Sequence, residues 1–265
     1  MTLAELQKTL GAQGQWLPID PPDAERLSIG ALLTSNPSGP RRFGYGTVRD
    51  YVIGLTAVMA DGRMIHSGGN VVKNVAGYDL MKLFIGSRGS LGVIVEATFK
   101  LRPIPEAETF VAAKCDSLEA ADKLIDAVLE SELTPIVLDL HNLASGNGTS
   151  TLVLGFAGTG DEVDWQLAKA ADLGIKTASS LDYAKAMDGP AFSFQRISVL
   201  PSKMIETIRR LDPAPFIARA GNGVIYYAGQ RPRISNATPE PGVRGLVQRL
   251  KAEFDPKNIL PKVPA

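Results

Sequence analysis

The chain has 265 residues, 45% of them hydrophobic, and its 28 Lys+Arg balance 28 Asp+Glu, so the formal net charge is zero. That length predicts about two globular domains, and neutrality excludes the basic field that would hold nucleic acid regardless of sequence. The single cysteine, Cys115, excludes an internal disulfide and cannot alone carry an iron–sulfur cluster, which usually takes about four thiolates.

The start, Met1-Thr2-Leu3-Ala4-Glu5, lacks the basic and apolar regions of a signal peptide. Thr2 and Glu5 instead form a capping-box pattern, and Leu3, Leu6 and Leu10 define one helix face that Gly11 ends. Residues 18–45, rich in Pro, Gly, Ser and Asn, predict a long irregular segment that follows a ligand. A strand is predicted over 51–60, with Asp61-Gly62 as a hairpin turn and Met64 and Ile65 opening the returning strand. Over 75–85, Val75, Leu80, Leu83 and Phe84 give a helical apolar face, stopped by Gly86. Val93, Val95, Ala97, Phe99 and Leu101 then alternate with Glu96, Thr98 and Lys100, a half-buried strand that ends at Pro103. These elements make a largely antiparallel sheet with a helix packed on it.

Beyond Pro103 and Pro105 the pattern becomes alternating strands and helices, read as a second domain. Strands are predicted at 110–114, 136–140, 152–156 and 223–227. Helices are predicted from the Asp116/Glu119 cap through Ala121, Leu124, Ile125 and Val128, over 161–173, and over 202–211. This β-α-β-β-α-β order with an extra helix is that of a ferredoxin-like α+β sandwich. Residues 231–242 would cross back, and a helix over 243–254 would rejoin the first domain. No window approaches the ~18 apolar residues of a membrane span, so a cytoplasmic protein is expected, reaching a membrane only through partners.

Chemistry concentrates between Gly68 and Pro103. The loop Gly86-Ser87-Arg88-Gly89-Ser90-Leu91-Gly92 spaces three glycines three apart, which frees one edge from Cβ atoms. Two readings stand: a helix cap with a tight connection, or a row of N–H groups offered to phosphate or ribose oxygens. It is not a dinucleotide fingerprint, because there the strand precedes and the helix follows.

Lys73-Asn74-Val75-Ala76-Gly77-Tyr78-Asp79 followed by Gly86 to Ile94 closely resembles the FAD-binding subunit of bacterial glycolate oxidase (glycolate dehydrogenase), in the superfamily of vanillyl-alcohol-oxidase/PCMH-type FAD-linked oxidases. The segment from Ser38-Gly39-Pro40 to Arg49-Asp50 and on to Gly54 is similar to that family's flavin-side loop. Phe254-Asp255-Pro256-Lys257-Asn258-Ile259-Leu260-Pro261 is similar to its C-terminal closing segment. The likeness is strongest over 28–105 and weak in the middle. It implies an α+β fold with a partial PCMH-type FAD-binding domain over 1–105, a ferredoxin-like cap over 106–235 and a returning segment over 236–265.

The resemblance implies FAD held by Ser28, Gly30, Gly39, Arg49, Asp50, Gly86, Gly89, Ser90, Leu91, Gly92, Val93 and Ile94. It also implies a small 2-hydroxy acid as hydride donor, and a larger flavoprotein subunit and an iron–sulfur subunit as partners. Two departures stand against it. Met1 falls inside the family's FAD domain, with no counterpart of the glycine-rich pyrophosphate loop, and Ser28-Ile29-Gly30-Ala31 stands where the family tends to pair glycines. A structural subunit that has lost FAD is therefore the alternative.

No catalytic base emerges. His66 and His141 belong to different predicted domains and read as surface or packing residues, no metal-ligand spacing occurs, and no metal is expected. Arg49-Asp50 is either an anion clamp at the flavin or a loop-fixing ion pair, and Lys73-Asn74 is either a contact to the ring or a solvated helix entry. Tyr78-Asp79 reads as packing, Arg88 as a phosphate partner or an exposed charge, and Tyr226-Tyr227 as one ring on each face of a strand.

Overall fold

Two hydrophobic cores organise the chain in the computed structural model, which describes residues 1–69, 79–143, 149–187, 194–211, 214–229 and 241–263. The first draws on residues 3–101 and takes in Phe254 from the far end of the chain. It begins with α1 (Leu3–Gly11), where the capping box is made as the sequence predicts: Thr2 N–H donates to Glu5 Oε2 at 2.8 Å and Glu5 N–H to Thr2 Oγ1 at 3.2 Å. Strand β1 (Gln15–Trp16) follows.

The expected irregular stretch holds short helices instead. Ser28 caps α2 (Ile29–Ser35), and α3 (Arg42–Tyr45) and α4 (Val48–Tyr51) come after it. Thr47 and Asp50 make a second capping box, which holds Tyr51 in a helical turn, so the next strand opens one residue later than expected. That strand, β2 (Val52–Val58), lies between β3 (Met64–Gly68) and, after the single helical turn α5 (Met81–Phe84), β4 (Val93–Phe99), all antiparallel. Of the helix expected over 75–85, residues 75–78 lie outside the described residues, Asp79, Leu80 and Ile85 are not helical, and Leu80, expected on the apolar face, is exposed; only Met81–Phe84 forms a helical turn.

Strand β4 also departs from strict alternation. Thr56 pairs with Glu96 and Ala57 with Ile94, so Val95 bulges out of register. Ile94, Ala97, Phe99 and Leu101 therefore pack on the core, while Val93 and Val95 face solvent.

Strand β5 (Arg102–Pro103) pairs back to β1, and the second core starts directly after it. Its elements are β6 (Ala107–Cys115), α6 (Leu118–Glu130), β7 (Val137–His141), β8 (Ser150–Gly158), α7 (Gly160–Asp172), β9 (Thr177–Ala178), β10 (Phe194–Ser198), α8 (Met204–Arg209), β11 (Phe216–Arg219) and β12 (Val224–Ala228). One antiparallel sheet holds them in the order β10-β12-β11-β7-β8-β6-β9. The run β9-β6-β8-β7 is the ferredoxin-like order. The remainder repeats its first half: β6-α6-β7-β8 and β10-α8-β11-β12 each place their third strand between the first and second, and the two units meet edge to edge at β7 and β11.

Alternation splits this sheet into two faces. Leu138, Leu140, Leu152, Leu154, Ile225 and Tyr227 turn to α6, α7 and α8. Asp139, His141, Arg219 and Tyr226 turn the other way, the side on which the sheet meets α3. There Gly44 N–H donates to the Ile136 carbonyl at 3.0 Å. The chain returns through α9 (Pro241–Phe254), whose Phe254 meets Phe84 edge-on at 5.8 Å. Among the described residues no helix is long and apolar enough to cross a membrane.

Candidate functional site

The glycine loop is held on two sides by its own chain. Gly86 N–H donates to the Leu33 carbonyl and Arg88 N–H to that of Thr34, both at 2.9 Å, which seats the loop on the C-terminal end of α2. Gly86, Arg88 and Gly89 all take positive φ (83°, 53° and 76°), which the two glycines adopt at little cost while Arg88 is held there between them. From the other side Lys251 of α9 donates to the Ser90 carbonyl at 2.9 Å and to the Pro261 carbonyl at 3.0 Å. It also pairs with Asp255, whose carboxylate is fully buried and takes the N–H groups of Ile259 and Leu260. The closing segment that the resemblance singled out is thus a clasp on the loop.

The expected cofactor residues fall into distinct settings. Ser28 and Gly30 sit at the start of α2 and Gly86 to Ser90 at its end, so the helix separates the two groups. Ser28 Oγ accepts from Ala31 N–H at 3.1 Å. Added Cβ atoms at Gly30 and Gly89 would meet nothing nearer than 4.0 Å, so a ligand can approach the backbone there. The N–H groups of Gly89 and Leu91 have no acceptor among the described residues.

Gly39 and Gly92 differ. A Cβ on Gly39 would overlap the Asp20 carbonyl, and one on Gly92 would press on Phe84 and the Val58 carbonyl at 3.0 Å, so internal packing alone accounts for both glycines. Asp50 is committed to capping Thr47, whose N–H it accepts at 2.8 Å. Arg49 is exposed and makes no ion pair among the described residues; its carbonyl accepts from Lys82 Nζ. The Arg49–Asp50 pair is therefore not the fixing ion pair considered from sequence. Val93 is exposed at the start of β4 and Ile94 packs inward. Lys73, Asn74 and Tyr78 lie outside the described residues, and Asp79 is exposed.

A second cluster, which sequence reasoning passed over, forms where the cap sheet meets α3. Arg42 donates to Ser38 Oγ at 3.2 Å. Burial, and next the neighbouring Arg196, hold its guanidinium below the ordinary arginine range, and Arg219 adds to the effect. Tyr226 lies under Arg219, whose guanidinium is 5.7 Å from the ring centroid, and it interacts electrostatically with Arg42. Among the described residues neither Arg42 nor Arg196 has a carboxylate within ion-pair distance. Asp139 pairs with Arg219, while Asp50 and Asp20 act on Arg42 and Arg219 only from beyond ion-pair distance, so Arg42 and Arg196 keep donors for an anion.

Deeper in the same face, Tyr183 donates to Asp139 and stacks on His141, with ring centroids 4.4 Å apart. Burial and then Arg219 bring His141 down to about 4, so it is neutral here. The sequence signals that could have found this cluster are the arginines and tyrosines on strands 194–198 and 216–228, which show only once these strands are known to share a face.

In this architecture an antiparallel sheet domain, closed by the C-terminal helix, abuts an α+β unit. Over 98% of its length the chain superposes with a TM-score of 0.70 on alkyldihydroxyacetonephosphate synthase, of which it covers 62% at 17% identity, a likeness of fold alone. Residues 1–68 match the FAD binding domain family.

It is 37% identical over 135 residues to glycolate oxidase subunit GlcD of Bacillus subtilis (51% of this chain, 29% of that one). It is 36% identical over 129 residues to glycolate oxidase subunit GlcE of Escherichia coli (48% and 37%), and 37% identical over 139 residues to D-lactate dehydrogenase of Archaeoglobus fulgidus (52% and 31%). The matches span about a third of the length of these relatives.

Proposed function

We propose that the chain is an FAD-holding part of a glycolate oxidase-like oxidoreductase that removes hydride from a small 2-hydroxy acid and passes electrons to partner subunits. In this reading residues 1–105 and 236–265 form the cofactor domain and 106–235 the cap. The residues fit the cofactor where Gly30 and Gly89 leave the backbone open and where Gly89 and Leu91 keep unused N–H donors. FAD, when bound, supplies the hydride acceptor.

The protein's own contributions are then the clasped loop, which holds a fixed set of donors, and Arg42, Arg196 and Tyr226, which hold the substrate carboxylate. The observation that carries the reading is this cationic cluster, turned toward the first domain with no carboxylate on Arg42 or Arg196 among the described residues. Expected partners are a larger flavoprotein subunit and an iron–sulfur subunit, and any membrane attachment runs through them.

A structural subunit without FAD is the second reading. What favours it is that Gly39 and Gly92 are explained by packing, so two of the expected contacts need no ligand. Purification with and without FAD, followed by visible absorption and anaerobic addition of glycolate or D-lactate, separates the two. A bound flavin bleached by the acid supports the first, with Arg196→Gln and Arg42→Gln raising the acid concentration needed by tenfold or more. A chain that takes up no flavin, alone or with its neighbours, supports the second.

A further inference from the structure

A cavity of about 760 Å³ has neither the glycine loop nor the cationic cluster in its lining. It opens where the two cores abut on the side of β1 and β5, a volume in the range of small-molecule sites. Its walls come from both halves: Trp16, Tyr45 and Arg102 on one side, and the C-terminal end of α6 with residues 133–136 on the other.

These walls are built. Trp16 Nε1 donates to the Pro103 carbonyl at 3.1 Å, and its ring meets Tyr45 edge-on at 5.3 Å. Across the cavity, Thr134 exchanges two hydrogen bonds with Gln166, its N–H at 3.1 Å and its Oγ1 at 2.6 Å. The rest of the lining is mostly apolar, and Leu129 remains 49% exposed beside buried Val128 and Leu133.

One charge stands in this lining. The Arg102 guanidinium stacks over Tyr45 at 5.6 Å and has no carboxylate within ion-pair distance among the described residues. The contrast with Arg41 is instructive. Arg41 lines the cavity on the far side of Trp16 and is neutralised by both Asp20 and Glu108, so that cavity asks for no anion.

We propose that the Trp16–Tyr45–Arg102 cavity binds an amphipathic anion, an aryl or short alkyl body carrying one carboxylate. Its apolar part lies against Leu129 and Leu133 and its charge on Arg102. Because the site spans both halves, occupancy also braces the cap against the first core and raises the melting temperature.

The test uses the full chain carrying Trp165→Phe, which leaves Trp16 as the one tryptophan. Titration with 4-phenylbutyrate should change Trp16 emission saturably with a Kd below 1 mM, as an order of magnitude for one buried ring and one ion pair. Neutral 4-phenylbutanol should bind at least tenfold more weakly, and Arg102→Gln should abolish that preference. Should Arg102→Gln fail to fold, Leu129→Asp places a like charge in the mouth of the cavity and should give the same loss. No saturable change in Trp16 emission, equal affinity for acid and alcohol, or a response that depends on protein concentration but not on ligand overturns the proposal.

Discussion

Asp139 and Arg219 stand directly opposite each other on β7 and β11, 80 residues apart in sequence, and form a buried ion pair at the seam between the two β-α-β-β units. Each is at most 2% exposed. The pair therefore marks the register at which one half of the cap sheet meets the other. Removal of one partner leaves a buried charge uncompensated, which costs roughly 3–5 kcal/mol, whereas removal of both is often close to neutral. Arg219→Met is expected to lower stability in urea by about that amount, and Asp139→Leu with Arg219→Met to recover most of it. A double variant as unstable as the single one would show that the pair does more than compensate itself.

Two groups near this seam oppose each other in their dependence on pH. His141 is held down to about 4, so between 6.5 and 4 the unfolded chain binds the proton that the folded one refuses, and stability falls as pH falls. Asp20 is raised by burial to about 6 despite the donors of Arg41, so from 3.8 to 6 the folded chain holds the extra proton and stability falls as pH rises. The windows overlap from 4 to 6, where the wild-type chain should show little net change. His141→Phe should expose the Asp20 slope and gain on the order of 2 kcal/mol on acidification from pH 6 to 4. Asp20→Asn should expose the opposite slope, with a loss of similar size. Urea midpoints measured across this range give the sign directly.

How much of this was legible in the sequence follows from the range of each interaction. The Thr2–Glu5 box and the Asp61-Gly62 turn are local, and both stand as read. The helix expected from an Asp116 cap is capped by Ser117 instead, whose Oγ accepts from Ala120 N–H, a shift of one residue among neighbouring capping types. Strand β11 has only four residues and carries an arginine, and β10 carries Arg196; neither offers the apolar run or long alternation that marks a strand. The cationic cluster was hidden for the same reason, since Arg42, Arg196 and Tyr226 meet only through the pairing of β10 with β12 and the seating of α3 on the sheet. The bulge at Val95 cannot be seen in a pattern that alternates correctly on paper.

The glycines separate packing from ligand approach. Gly39→Ala drives a methyl group into the Asp20 carbonyl and should destabilise the chain by about 3 kcal/mol or more, as overpacking against backbone does. Gly30→Ala meets open space in the first turn of α2 and should leave stability unchanged or raise it by about 0.5–1 kcal/mol through helix propensity. Thermal melts check both. Should Gly30→Ala be stable yet take up FAD less tightly, the open face of that turn is a place of close approach to the cofactor; unchanged uptake would remove Gly30 from the site.

Lys251 is the residue through which the C-terminal segment reaches the glycine loop. Its ammonium joins the Ser90 carbonyl to the Asp255 carboxylate and to the carbonyls of Leu260 and Pro261, and Asp255 in turn fixes residues 259 and 260. Lys251→Met keeps most of the aliphatic stem but leaves the Asp255 carboxylate with N–H donors alone, which lowers stability. The loop then loses its hold from the α9 side and keeps only the two bonds to α2. Amide exchange at Ser90, whose N–H donates to the Ser87 carbonyl, should accelerate together with that at Ile259 and Leu260, because one side chain ties both segments. Acceleration confined to residues 259 and 260 would mean that α2 alone holds the loop, and that the clasp secures only the end of the chain.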